Sequence, residues 1–303
     1  MSKKTDQHRC GFATLIGAPN AGKSTLTNRL VGTKVSIVTH KVQTTRARLR
    51  GILMEGDVQV VLVDTPGIFA PRRRLDRAMV DAAWSGAREG DVIVFLVDVE
   101  RGISEDVERI LKGLNDMGGI KALVLNKIDK TGKDKLLALT TEISEIVQFD
   151  QTFMVSALRG HGVDDLKDWL VEKMPIGPWH FPEDQLVDAP MMLTAAEITR
   201  EKIYLRLHQE LPYASTVETT SWKNLDNGSV RIEQTIFVER DSQKMIVLGK
   251  GGRSIKAISQ ESRHELAEIL DCPVHLFLFV KVRENWGDDP ERYRGIGLDF
   301  PSK

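Results

Sequence analysis

The sequence lacks the features of several protein classes. Its two cysteines, Cys10 and Cys272, are too few for a disulfide framework and too isolated for a zinc site. No stretch of about eighteen residues is both apolar and uncharged, so we expect no membrane-spanning helix. The first six residues contain no apolar run of the kind found in secretory signals. These absences favour a protein of the reducing cytoplasm.

A charge excess of either sign is also absent, because 42 Lys and Arg residues balance 43 Asp and Glu residues. This balance excludes a wholly basic nucleic-acid-binding domain but not a local basic patch. One such patch lies in residues 242–264, where five basic side chains accompany a single acid, Glu261. With 303 residues, of which 41% are apolar, the chain is long enough for two hydrophobic cores.

Residues 1–177 alternate apolar runs with helical segments. Each run is almost continuously apolar, which is typical of strands buried on both faces of a parallel sheet. The runs cover residues 12–16, 58–63, 92–97, 122–125 and 153–155. Helices are predicted over residues 23–31, 76–87, 104–114, 133–148 and 163–174. We therefore predict an α/β domain, a mostly parallel sheet flanked by helices, with a ligand site beyond the carboxyl ends of its strands.

The pattern changes after residues 178–190, an acidic stretch with several prolines that we interpret as a linker. Residues 191–211 are predicted to be helical as far as Pro212, and residues 215–222 and 229–238 alternate as two strands. A helical turn over 242–248, a helix ending near Leu270 and a strand over 273–282 follow. Residues 191–283 thus form a second, α+β domain, and residues 284–303 form a tail without an assigned structure.

A phosphate-binding loop follows the first predicted strand. The motif is Gly17-Ala18-Pro19-Asn20-Ala21-Gly22-Lys23-Ser24, and Thr25 continues it into a helix. Its glycines let backbone N–H groups surround a β-phosphate, Lys23 adds positive charge beside the β- and γ-phosphates, and Ser24 offers a hydroxyl to Mg²⁺. The preceding strand and following helix make a chance glycine-rich turn the weaker interpretation.

A second polar motif ends the next long apolar run. Asp64-Thr65-Pro66-Gly67 places a carboxylate where it can hold Mg²⁺ through water, and the Gly67 N–H can meet a γ-phosphate. Asp, Pro and Gly also form ordinary turns at strand ends. The position of the motif, on the next long strand after the phosphate loop, favours the nucleotide site.

A third motif selects the base. In Asn126-Lys127-Ile128-Asp129 the Asp129 carboxylate can accept two hydrogen bonds, which matches the N1–H and N2–H₂ edge of guanine and leaves adenine without partners. Lys127 can cover the base plane with its side-chain stem. Ser156-Ala157-Leu158 supplies a loop whose backbone N–H can meet the guanine carbonyl. Together the motifs indicate a GTP/GDP site with Mg²⁺ and disfavour a P-loop ATPase or nucleotide kinase.

In this combination the motifs resemble those of the Era family of TRAFAC-type P-loop GTPases. The resemblance rests on Pro19-Asn20, Gln43-Thr44-Thr45-Arg46, Asp64-Thr65-Pro66-Gly67 and Asn126-Lys127-Ile128-Asp129. It continues through Phe181-Pro182-Glu183-Asp184, Glu210-Leu211-Pro212-Tyr213, Gly249-Lys250-Gly251-Gly252 and Pro273-Val274-His275-Leu276, and so covers essentially the whole chain. It implies a GTPase domain and a type II KH domain. It also implies binding near the 3′ end of small-subunit (16S) rRNA, a role in 30S subunit assembly and peripheral association with the inner membrane.

The segment after the first helix carries the expected switch. One hydroxyl of Thr44 or Thr45 should complete the Mg²⁺ shell only when a γ-phosphate is present, and the resemblance favours Thr45. Ile68 stands where Ras-like enzymes place a water-positioning glutamine, so intrinsic hydrolysis should be slow. Relatives with an asparagine at the position of Asn20 are stimulated by potassium, which implies that Asn20 coordinates a K⁺ ion beside the phosphates.

Gly249-Lys250-Gly251-Gly252 has the GxxG form of KH domains. Its glycines let RNA phosphates approach the backbone, while Lys250, Arg253 and Lys256 neutralise them. An isolated GxxG is usually an ordinary turn at a helix start, but this one follows two strands and lies in the basic patch.

The motifs predict a GTPase with Lys23, Thr45, Asp64, Gly67 and Asn20 acting in hydrolysis. The resemblance implies in addition that the protein binds rRNA, and we expect it to be a monomer. The alternative is a nucleotide-gated scaffold whose KH-like domain binds a protein partner.

Overall fold

The computed structural model describes residues 8–301 except 40, 42, 43, 208–210, 212 and 296. Gln43, Glu210 and Pro212, which belong to the motifs above, therefore lie outside the described residues. The chain divides into two compact units. The first, the GTPase unit, comprises residues 1–36, 45–188 and 297–303, and the second, the KH unit, comprises residues 37–44 and 189–296.

The GTPase unit is built on a seven-stranded sheet with the order β6-β5-β4-β1-β3-β2-β7. The strands are β1 (Arg9–Gly17), β2 (Leu49–Glu55), β3 (Val58–Asp64), β4 (Val92–Asp98), β5 (Ile120–Asn126), β6 (Gln151–Val155) and β7 (Val187–Asp188). β1, β3, β4, β5 and β6 pair in parallel, and β3 and β4 are buried at every position. The predicted α/β fold class with a mostly parallel sheet is confirmed.

The sequence-based prediction missed strand β2. Leu49–Glu55 pairs antiparallel with β3 through a tight turn at Gly56, whose φ is 55°, and pairs on its other side with β7. Arg50 and Gly51 interrupt the apolar run of this segment, so the sequence pattern does not indicate a buried strand. β7 lies within the stretch interpreted as a linker. The predicted division into residues 1–177, 178–190, 191–283 and 284–303 remains a prediction.

Helices cover both faces of this sheet and enclose two hydrophobic clusters. They are α1 (Lys23–Val31), α2 (Arg74–Glu89), α3 (Glu105–Asn115), α4 (Lys133–Ser144) and α5 (Val163–Lys173). α1 has the predicted bounds, whereas α4 ends four residues earlier than predicted because Glu145 to Gln148 leave the helix. Ser104 caps α3 by accepting the Val107 N–H at 3.4 Å, and the first turn that follows it is acidic.

The KH unit consists of a three-stranded sheet, helices that pack against its inner face, and a short helix in the tail. Its elements are α6 (Met191–Arg206), β8 (Ser215–Asn224), β9 (Val230–Val238), α7 (Asp241–Leu248), α8 (Arg253–Leu270), β10 (Val274–Val282) and α9 (Pro290–Gly295). The strand order is β10-β9-β8, with β8 and β9 antiparallel and β9 and β10 parallel. The predicted α-β-β-α-β order is present, and the helical turn predicted over 242–248 is the helix α7. α6 ends at Arg206 and not at residue 211.

The inner face of this sheet supplies the core of the KH unit. Residues such as Ile232, Ile236 and Leu276 alternate with outward-facing positions and pack against α6 and α8. The tail, left unassigned from sequence, forms a short turn at Trp286–Asp288 before α9, and the buried Trp286 indole donates to the Ala214 carbonyl at 3.0 Å. Among the residues that the structure describes, no helix is long and apolar enough to cross a membrane.

Candidate functional site

The predicted motifs of the GTPase unit meet at one edge of its sheet. β1, β3, β4, β5 and β6 run in parallel, so their carboxyl ends lie side by side. These ends carry the polar residues Gly17, Asp64, Asp98, Asn126 and Ser156. In this arrangement the buried apolar strands form a rigid base for a polar site, as open α/β sheets do.

The phosphate loop adopts the tight conformation that its glycines allow. Gly22 has φ 101° and ends the loop at the start of α1, where helix N–H groups and the helix dipole attract anions. A Cβ atom at Gly22 would lie 2.2 Å from the Asn126 amide nitrogen, and one at Gly67 would lie 2.9 Å from the Pro19 Cα. Both positions therefore require glycine, since neighbouring groups occupy the space of any side chain.

Lys23 lies inside this loop. Its Nζ donates to the carbonyl oxygens of Gly17 and Ala18, each at 3.1 Å. Burial lowers the pKa of Lys23 to about 8, although the nearby Asp64 carboxylate opposes the shift. Phosphate groups within the loop would favour the charged ammonium of Lys23. The loop is therefore suited to an anion that compensates this buried positive charge.

Three side chains form a set of oxygen ligands beside the loop. Ser24 Oγ lies 2.7 Å from Asp64 Oδ2 and 2.9 Å from Thr45 Oγ1. Asp64 Oδ1 is buried and has no hydrogen-bond partner within the described part of the chain, and burial raises the pKa of this carboxyl. Mg²⁺ prefers hydroxyl, carboxylate and water oxygens. The orphaned oxygen and the two hydroxyls therefore fit Mg²⁺.

The geometry favours Thr45 over Thr44 as the switch residue. Thr45 is buried with its hydroxyl at the oxygen set, whereas the Thr44 hydroxyl contacts Thr39 Oγ1 and the Lys41 carbonyl, each at 2.7 Å. Ile68 is fully buried in the hydrophobic cluster that includes Ile16 and Phe95. Its side chain is thus part of the core and has no role in positioning water.

Asn126 links three loops of the site. Its Nδ2 donates to the Ala21 carbonyl at 2.7 Å, while its Oδ1 accepts the N–H groups of Lys127 and Ala157 at 2.8 and 3.0 Å. Asn126 therefore holds the phosphate loop, its own motif and the Ser156 loop together. This linking role was not predicted from sequence.

Lys127 and Asp129 point to different parts of the site. Lys127 Nζ contacts the Asn20 carbonyl at 2.9 Å and Asp98 Oδ2 at 2.5 Å. Asp129 is exposed and accepts the Ser156 hydroxyl at 2.6 Å, a hydrogen bond that lowers the pKa of its carboxyl. A charged, exposed and oriented carboxylate is what recognition of a guanine edge requires. Sequence reasoning missed the role of Asp98, although its place at the end of a buried strand was a usable signal.

The GxxG segment of the KH unit has a backbone that only glycine adopts readily. Gly249, Gly251 and Gly252 have φ values of 73°, 63° and 74°. A Cβ at Gly249 would lie 2.7 Å from the Ser254 Cβ, whereas nothing lies near one at Gly251 or Gly252. The two open glycines leave the backbone accessible to a phosphate, and the adjacent Lys250, Arg253 and Lys256 are exposed.

Two apolar side chains next to this segment were missed by sequence reasoning. Met245 and Ile246, near the end of α7, are 67% and 54% exposed. Their exposure leaves an apolar surface beside the open glycines. The helical turn was predicted, but sequence alone does not reveal which of its apolar residues stay outside the core.

These features define a P-loop nucleotide-binding domain with a guanine-type base pocket, joined to a KH domain. The profile of the 50S ribosome-binding GTPase family matches residues 12–127, and the KH domain profile matches residues 210–287. The chain is 64% identical over 293 residues to GTPase Era from Rhizobium meliloti (strain 1021), covering 97% of this chain and 94% of that protein.

Solved structures agree with this assignment. A crystal structure of Era in complex with MgGDPNP and nucleotides 1506–1542 of 16S ribosomal RNA superimposes with a TM-score of 0.91 at 36% identity, covering 96% of this chain and 99% of that one. An Era variant from Aquifex aeolicus bound to GDP·AlF4⁻ gives a TM-score of 0.90 at 36% identity, covering 95% and 99% of the two chains. The chain belongs to the Era family of GTPases, and the resemblance inferred from its motifs is confirmed.

The base pocket generates a direct test of guanine selection. We expect Asp129→Asn to weaken GDP binding about tenfold to hundredfold, because each hydrogen bond to a charged acceptor contributes about 1.5–3 kcal/mol. The measurement is the dissociation constant of a fluorescent GDP analogue. Asp134→Asn, which neutralises an exposed carboxylate on α4, is the matched control and should leave binding unchanged. Equal affinity of the Asp129 variant and the parent chain would contradict the assigned pocket.

Proposed function

We propose that this chain is a GTP-hydrolysing switch whose KH unit binds the 3′ end of small-subunit 16S rRNA during assembly of the 30S subunit. Family membership supports the GTPase activity. The observation that carries the proposal is the joint presence of the Lys23–Ser24–Asp64 cluster in one unit and the open GxxG backbone in the other. The RNA assignment is supported by the rRNA-bound Era structure.

Each site residue has a defined task in this scheme. Residues 17–25 hold the phosphates through backbone N–H groups, and Lys23 places positive charge beside the bridging oxygen between the β- and γ-phosphates. Ser24 and Thr45 ligate Mg²⁺, which Asp64 contacts through water, and the Mg²⁺ neutralises charge on the phosphates when bound. The Gly67 N–H donates to the γ-phosphate. Asp129 accepts from the guanine edge, while Asn126, Lys127, Ser156 and Ala157 position that pocket.

Hydrolysis transfers the γ-phosphoryl group to water. A bond forms between the water oxygen and the γ-phosphorus, the bond to the bridging oxygen breaks, and GDP leaves with the electron pair. Because Ile68 is buried in the core, no side chain at that position orients the water, and intrinsic turnover is slow. Asn20, which has φ 64° in the phosphate loop, coordinates a monovalent cation in this proposal, a role that rests on the family resemblance.

The KH unit binds unpaired nucleotides at residues 249–256. Gly251 and Gly252 admit phosphates to the backbone, and Gly249 allows the chain to turn against Ser254. Lys250, Arg253 and Lys256 neutralise the phosphates. The exposed Met245 and Ile246 offer apolar contacts to the bases. This surface is local, as the balanced net charge of the chain requires.

We further propose that the protein acts as a monomer in the cytoplasm and associates peripherally with the inner membrane. The cytoplasmic location is supported by the use of cysteine, since both Cys10 and Cys272 are unpaired. The membrane association rests on the family resemblance alone.

The coupling of nucleotide and RNA can be tested in one titration. We expect an RNA copy of nucleotides 1506–1542 to bind more tightly in the presence of a non-hydrolysable GTP analogue than in the presence of GDP. Lys250→Glu should weaken binding in both states, and Lys112→Glu, which reverses an exposed charge on α3, is the control. Fluorescence anisotropy at fixed salt gives the affinities. Equal affinity in the two nucleotide states would contradict the switch, and binding insensitive to Lys250 would favour a protein partner for the KH unit.

The role of Asn20 generates a second test. We expect GTP turnover to be several-fold faster in potassium than in sodium buffer at equal ionic strength, because K⁺ supplies positive charge where many GTPases use an arginine. Asn20→Ala should abolish the difference. Phosphate release under saturating GTP is the measurement. Equal rates of the parent chain in the two buffers would exclude cation activation at this position.

A further inference from the structure

The outer face of the KH sheet carries two exposed aromatic rings. Phe277 and Phe279 lie two residues apart on β10 and therefore on the same face, and they are 43% and 49% exposed. The alternate residues, Val274, Leu276 and Leu278, face inward and pack in the hydrophobic core. The rings thus contribute little to the core.

The position of these rings in the sheet makes their exposure unusual. β10 is an edge strand, because the sheet order is β10-β9-β8. Exposed aromatic residues on an edge strand are an aggregation hazard that proteins normally avoid with charges or cover. A binding function would account for keeping both rings in solvent.

The surroundings of the rings favour an anionic ligand. The Arg231 guanidinium lies 4.6 Å from the centre of the Phe277 ring, and His275 and Lys281 are exposed at either end of the pair on the same strand face. Across the sheet, Lys223 is the β8 residue paired with Arg231. The outer face therefore carries four side chains with basic or titratable nitrogen atoms around the two phenyl rings. They are Lys223, Arg231, His275 and Lys281.

The acids on this face are neutralised within the unit. Glu233 pairs with Arg231 at 2.7 Å, and Glu218 pairs with Arg292 at 3.1 Å. Arg292 also lies 4.0 Å from the centre of the Phe237 ring, so the tail covers the part of the face near Phe237. Phe277 and Phe279 lie outside the part that the tail covers, and their rings remain exposed to solvent. Because Arg231 is paired with Glu233, which lies beside Phe277 in the sheet register, the remaining positive charge near the rings comes from Lys281 and Lys223.

β10 also borders the GxxG segment, on the inner, helix-covered face of the sheet. That segment joins α7 to α8, and both helices contact β10. The free edge of β10 therefore separates the helix-covered face of the sheet from the face that carries the rings. No other strand lies outside that edge in the described sheet.

We propose that Phe277 and Phe279 form a stacking platform for two unpaired bases of single-stranded RNA, adjacent to the segment held at the GxxG loop. Successive bases stack on aromatic side chains in this manner on the sheets of other RNA-binding folds. Arg231, His275 and Lys281 contact the phosphates of the same nucleotides. The proposal rests on the RNA-binding function proposed above and extends it to a second face of the KH unit.

The test separates base stacking from apolar docking of a protein. Phe277→Leu/Phe279→Leu keeps apolar area but removes both rings, whereas Phe277→Trp/Phe279→Trp keeps the rings. Ile269→Ala, which trims a 39% exposed side chain on α8, is the control. The full chain is titrated with an RNA copy of nucleotides 1506–1542 in the presence of a GTP analogue. A 4-thiouridine version of this RNA is cross-linked by light and the modified peptide identified.

We expect the leucine pair to bind the RNA at least about thirtyfold more weakly, because the stacking of two bases is lost. The tryptophan pair and the control should bind as the parent does, and cross-links should map to residues 274–282. Thermal unfolding and GTP turnover without RNA should be unchanged in all variants.

Parent-like affinity of the leucine pair, or cross-links confined to residues 245–256, would overturn the platform while leaving the GxxG site intact. Absence of RNA binding by the parent chain would instead overturn the proposed function itself. If the leucine pair retains RNA affinity, the rings are not a base-stacking site, and an apolar protein contact becomes the better interpretation.

Discussion

The nucleotide site depends on the side chain of one residue, Asn126. Its amide donates to the Ala21 carbonyl and accepts from the backbone of Lys127 and Ala157. Three loops that leave three different strands are therefore fixed by one planar group. The requirement for glycine at position 22 is part of the same arrangement, because a side chain there would occupy the space of the Asn126 amide.

The rest of the site consists of polar side chains at the ends of buried, apolar strands. β3 and β4 are buried along their whole length, and at their carboxyl ends they offer Asp64 and Asp98 to the site. Lys23 and Asp64 are both buried, and burial alone disfavours the charged form of each. Bound phosphate and Mg²⁺ would reverse that balance. The site is thus organised around two buried charged groups, Lys23 and Asp64, whose charges a bound ligand would compensate.

The sequence allowed the fold class and the motif positions to be predicted because each strand end carried a distinctive residue. It did not reveal β2, since Arg50 and Gly51 interrupt the apolar run of an antiparallel strand near the sheet edge. It left Thr44 and Thr45 as alternatives, because adjacent hydroxyls are equivalent until the backbone directs them to different partners. The sequence shows that His275, Phe277 and Phe279 occupy alternate positions of one strand. Only the folded sheet shows that the face they share is exposed to solvent.

Asn126 assembles the site and does not merely line it. The most direct measurement is amide hydrogen exchange of Asn126→Ala, together with its affinity for GDP. The account predicts faster exchange in both residues 18–22 and residues 156–160, with an affinity loss of about hundredfold because about three hydrogen bonds of about 1 kcal/mol each are removed. Exchange changes restricted to residues 126–129, with GDP affinity unchanged, would contradict it.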